Sequence, residues 1–105
     1  MISFVVHEAF GSMILTDKQI EDISELAVSL TPVSDIAVLL GLDEFDLRET
    51  LSDHTHPASV AYRRGKAETR LRLRRNELEL AEAGSPLAVA MVKSYMEDMD
   101  NDEDL

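Results

Sequence analysis

Arg63, Lys66, Arg70 and Arg74 recur at spacings of three and four, which on a helix sets four cations along one narrow stripe whose only nearby acid is Glu77. A row of this kind suits a phosphate backbone, because each neutralised phosphate releases condensed counterions. It also suits a solvated face, or a dock for an acidic segment of this chain or of another subunit. Seven of the ten basic residues lie between Arg63 and Arg75 with a single acid, Glu68, while the whole chain carries a formal net charge of −11. Such a chain repels nucleic acid everywhere except at that stretch. Other chemistry is weakly signalled. Asp53, His54 and His56 are of metal-ligand type but lack a third firm ligand, and read better as a loop in which Thr55 caps the following helix. His7 has no partner in sequence. The chain has no cysteine, no G-x-x-x-x-G-K loop and no Ser, His and Asp spaced as nucleophile, base and orienter. Neither an enzyme nor a metal, a cofactor or a small-molecule substrate is therefore expected.

A length of 105 residues gives one compact domain, or a small domain with one extended helical element. The fold class read from the pattern is all-α. Residues 1–15 read as a loosely held N-terminal arm, since Ile2 to Val6 is strand-like in composition but has no second strand to pair with; the alternative is a strand or short helix contributed to an oligomer. Residues 16–53 read as a helix-turn-helix unit. Thr16 and Gln19 make a capping box for a helix over 17–30, with Ile20, Ile23, Ala27 and Leu30 facing inward. Pro32 enters the first turn of a short helix that stops at Gly41, carrying Val33, Ile36, Ala37 and Leu40. Asp43 caps a third helix with Leu47 and Leu51 inside. Residues 57–97 read as a helical hairpin: a long helix from Pro57 to Ala83, a break at Gly84, and a last helix begun by Ser85 and Pro86. Residues 98–105 read as a disordered acidic tail, because six of the eight residues from Glu97 to Asp104 are acids.

Sorted by angle, the long helix carries two apolar stripes roughly 160° apart. Val60, Ala67, Leu71 and Leu78 form one, and Tyr62, Thr69, Leu73 and Leu80 the other. A hairpin partner covers one stripe only, so Val60, Tyr62, Leu71, Leu73, Leu78 and Leu80 are candidate interface residues of a homo-oligomer. The alternative is a helix sandwiched within its own chain. Arg64, Arg72 and Arg75 share a side with Glu68, Glu79 and Glu82 and read as a surface salt-bridge lattice.

The run Ser34-Asp35-Ile36-Ala37-Val38-Leu39-Leu40-Gly41-Leu42-Asp43, then Leu47 and Leu51, then Ala61-Tyr62-Arg63-Arg64-Gly65-Lys66-Ala67, then Leu80-Ala81-Glu82-Ala83-Gly84-Ser85-Pro86, resembles small terminase subunits of tailed bacteriophages. The resemblance covers about residues 16–99. It implies an all-helical, non-catalytic subunit in the bacterial host cytoplasm that binds viral duplex DNA and assembles into rings through central helices. It also implies a partner, a large terminase subunit carrying the ATPase and nuclease. In a groove-reading third helix, residues 44–46 and 48–50 would face bases. Here they are Glu44, Phe45, Asp46, Arg48, Glu49 and Thr50, and residues 16–53 hold ten acids against Lys18 and Arg48. DNA contact is therefore expected from Arg63, Lys66, Arg70 and Arg74, with Arg48 as an auxiliary. The rival expectation is an acidic module or phage regulator that docks a protein partner and not DNA. No apolar run approaches the ~18 residues of a membrane span. The opening Ile2–Leu15 fits a signal peptide poorly, so the protein is expected inside the cell.

Overall fold

The computed structural model describes residues 13–104 as five helices, α1 (Asp17–Val28), α2 (Val33–Leu40), α3 (Glu44–Ser52), α4 (Pro57–Glu82) and α5 (Pro86–Asp102), with no strand among the described residues. The protein is all-α. The capping box is present: Gln19 N–H donates to Thr16 Oγ1 at 3.1 Å and Thr16 N–H to Gln19 Oε1 at 2.9 Å. α1 stops two residues earlier than its apolar spacing predicts, because Leu30 takes φ 58 and turns the chain left-handed. There Leu30 N–H bonds the Ala27 carbonyl and Thr31 N–H the Leu26 carbonyl, which satisfies the helix end. Pro32 is extended (φ −61, ψ 151) and stands just outside α2 rather than in its first turn. Gly41 ends α2 at φ 68 with Leu42 N–H on the Ala37 carbonyl, a backbone shape that favours glycine. Asp43 accepts from Asp46 N–H at 2.9 Å and starts α3.

The chain divides into two compact units, the first ending at Thr69 and the second beginning at Arg70. The division falls inside α4 and not at the expected 53/57 break. Its cause is the N-terminal half of α4, whose Ala58, Ser59, Gly65 and Thr69 are buried. The core of the first unit is Ile23, Ile36, Ala37, Leu47, Ala58 and Met13. Burial of these side chains is the main force holding the unit. Met13 corrects the arm expected over 1–15. It is 0% exposed, its N–H donates to Thr50 Oγ1 at 2.8 Å, and its carbonyl accepts from His56 Nε2 at 2.7 Å. Both of its backbone groups find partners, so burying it leaves nothing unsatisfied. The arm's remaining residues, 1–12, lie outside the described residues.

His56 also replaces Thr55 as the side chain that caps α4. Ala58 N–H can only donate, and it points at His56 Nδ1 at 3.0 Å, so the ring proton belongs on Nε2, where it serves the Met13 carbonyl. Thr55 instead turns back, giving both its N–H and its hydroxyl to Asp53 Oδ1 at 3.0 and 2.7 Å. Replacing His56 with alanine strands a buried carbonyl and a helix N–H together. The expected cost is about 1–3 kcal/mol in urea unfolding, against little change for the neighbouring ring of His54. Equal effects of the two substitutions would show that the His56 bonds contribute nothing.

Gly65 is where α4 crosses α1. A Cβ there would meet the Ser24 carbonyl oxygen at 2.7 Å, Ala27 Cβ at 3.1 Å and Val28 N at 3.2 Å. One turn on, Thr69 Oγ1 donates to the Val28 carbonyl at 2.6 Å and satisfies the end of α1. Ser59 Oγ donates to the Leu51 carbonyl at 2.7 Å. The face of α4 buried in the first unit is thus built from small and hydroxyl-bearing residues. Val60, on the predicted apolar stripe, is 48% exposed, whereas Tyr62 packs on the unit's own core.

In the second unit Gly84 takes φ 97, Ser85 N–H bonds the Leu80 carbonyl, and Ser85 Oγ then accepts from Ala88 N–H to begin α5. α5 continues to Asp102, which corrects the disordered tail expected over 98–105; Leu105 lies outside the described residues. Arg70 and Arg74 line an open cleft of about 740 Å³ together with Tyr95, Asp98, Met99 and Asp102.

Candidate functional site

The four cations of the predicted stripe sit in distinct local environments. Within the first unit, Arg63 is tied down: Nη2 donates to the His54 carbonyl at 2.9 Å and Nε to Ser59 Oγ at 3.4 Å. Lys66 lies over the Tyr62 ring, Nζ 5.7 Å from its centre. Within the second unit, Arg74 stacks over Tyr95 at 5.7 Å and shares its cleft with Arg70, Asp98 and Asp102. Glu77 is therefore not the only acid near the stripe, as its spacing alone suggests. Asp98 and Asp102 of α5 line the same cleft as Arg70 and Arg74, a grouping that helical periodicity does not display. Glu68 pairs with Arg64 at 3.2 Å, an exposed i, i+4 contact of small energetic value.

Arg48, expected as a separate auxiliary, belongs with Arg63. Both line an open cleft of about 460 Å³ at the corner between α3 and α4, along with Ser52, His54 and Tyr62. The corner explains the meeting. Arg48 lies one turn before the end of α3, Arg63 lies within two turns of the start of α4, and the linker between the helices is short. That symmetry about the Asp53–Pro57 break was a readable signal that stripe analysis of one helix passes over. Arg48 Nε also meets Glu44 Oε2 at 3.2 Å, an exposed i, i+4 pair on α3. Phe45 projects from the same helix, 67% exposed.

Both ring nitrogens of His56 are engaged within the protein, and Asp53 is committed to Thr55. The Thr55 hydroxyl, then its N–H, hold the Asp53 carboxyl below its usual range. Among the described residues no group of three His, Asp or Glu side chains is placed to hold a metal ion.

Of the candidate interface residues, Tyr62 is turned into its own unit. Val60, Leu71, Leu73, Leu78 and Leu80 are exposed. Leu87, at 74% exposure, joins them on α5, and in the second unit Ala88 is the one side chain buried among the described residues. No helix of the described residues is long and apolar enough to cross a membrane. Comparison with protein-family models, with curated proteins and with solved structures gives no match to this chain.

Proposed function

We propose that this chain is a non-catalytic, self-assembling subunit of viral DNA packaging, a small-terminase-like protein that binds duplex DNA and works with a separate large terminase. The observation that carries the reading is the α4–α5 hairpin, which leaves leucines uncovered on both of its helices. A monomer gains nothing from such a surface, whereas a subunit that assembles does. The resemblance of the ordered sequence runs to small terminases suggests the same role, in which α2 and α3 would serve as the helix-turn-helix. Arg63 and Lys66, in the first half of α4, supply an attraction for phosphate that offsets the acids of α3.

The test is binding of a labelled duplex by fluorescence anisotropy across a potassium chloride series. Affinity should fall steeply with salt, as counterion release requires. A second reading is favoured by α3 itself, where Phe45 is exposed and Arg48 is paired with Glu44. That face suits a protein partner. Flat, salt-insensitive or absent DNA binding by the wild type selects this second reading and sinks the first.

A further inference from the structure

We propose that Arg48 and Arg63 form a two-arginine clamp for a phosphodiester group of duplex DNA, in the cleft at the α3–α4 corner. The inference rests on the DNA-packaging reading and gives it a location, in the first unit. Three observations lead to it. The first is convergence: two arginines from different helices line one cleft with His54 and Tyr62. A carboxylate is satisfied by a single arginine fork, whereas a phosphate presents oxygens in several directions and uses donors from more than one side. The second is order. Arg63 is held by the His54 carbonyl and Ser59 Oγ, which leaves three of a guanidinium's five N–H donors for a ligand. A side chain already fixed loses less entropy on binding.

The third observation concerns the alternative cations. Arg70 and Arg74 face Asp98 and Asp102 across their own cleft, so a phosphate approaching them meets two carboxylates. At the corner cleft the acid beside the clamp is Glu44, which holds Arg48 through one exposed contact. Such a contact is weak enough for a phosphate to displace. Lys66, in a neighbouring cleft that shares Tyr62 with the first, is placed to meet a further phosphate.

The experiment is duplex binding by anisotropy over a salt series, on the full chain. Arg48→Ala and Arg63→Ala should each weaken binding about tenfold and lower the salt slope by about one. Arg63→Lys should keep the slope but lose part of the affinity, because the charge remains and the fork does not. Glu44→Gln should tighten binding several-fold, an effect that damage to the fold cannot produce. Arg70→Ala and Arg74→Ala should stay within about threefold of wild type. If wild type binds DNA and these last two variants dominate, or if Glu44→Gln changes nothing, the clamp is overturned and the packaging reading stands. A parallel nuclear magnetic resonance titration with inorganic phosphate reads the Arg63 side-chain signal. A phosphate shift without any duplex binding overturns the DNA assignment in favour of a small phosphorylated ligand. Salt-sensitive duplex binding with no Arg63 shift overturns the clamp alone.

Discussion

Gly65→Ala lowers the stability of the first unit by about 1–3 kcal/mol, although alanine is the better helix former by about 1 kcal/mol. The sign follows from what the new methyl group meets. Its nearest neighbour would be the Ser24 carbonyl oxygen at 2.7 Å, a backbone atom in the body of α1 that no rotamer change can move aside. α4 must therefore lift from α1, and the lift also stretches the 2.6 Å bond from Thr69 Oγ1 to the Val28 carbonyl one turn away. In a unit of this size each kcal/mol corresponds to roughly 4–8 °C in melting temperature. Gly65→Val, bulkier and branched at the clashing atom, is expected to lose more than the alanine variant and to leave the first unit unfolded at 37 °C. Thermal melts by circular dichroism check both. An alanine variant that melts at or above wild type would mean that the crossing relaxes at no cost and that Gly65 is a helix defect only.

How much of this was readable beforehand differs from element to element. The starts of α1, α3 and α5 were legible because Thr16, Asp43 and Ser85 act within three residues of themselves, and local chemistry survives tertiary context. The ends of α2 and of the hairpin's first helix were legible from Gly41 and Gly84 for the same reason. Leu30 was not, since a leucine at positive φ carries no signal in its residue type. The buried face of α4 was misread because apolar periodicity looks for large side chains, whereas a close helix crossing buries Ala58, Ser59, Gly65 and Thr69. That Arg70 and Arg74 line one cleft with Asp98 and Asp102 of α5 was invisible in one-helix geometry. So was the meeting of Arg48 and Arg63, for which the one sequence signal was their near-symmetric places about the Asp53–Pro57 break.

Self-assembly through the hairpin gives the other large effect, and the expected result is a change in mass. Wild type should scatter light as a multiple of the 11.7 kDa chain at micromolar concentration, and Leu71→Glu with Leu73→Glu should return it to 11.7 kDa. Fully covering a leucine is worth about 1.5–3 kcal/mol, and Leu71, Leu73, Leu78, Leu80 and Leu87 are each about half exposed or more. Covering what is left of these five could contribute several kcal/mol per subunit, so two buried glutamates should outweigh what remains. Leu71 and Leu78 face away from Leu73 and Leu80 on α4. A two-fold dimer repeats one patch on both subunits and leaves one of these pairs idle, whereas a head-to-tail ring uses both. Leu71→Glu with Leu78→Glu, and separately Leu73→Glu with Leu80→Glu, distinguish the two: either pair alone should dissolve a ring, but only one of them a dimer. A wild type that is already a monomer would leave the uncovered leucines without a role in assembly and remove the main support for a packaging subunit.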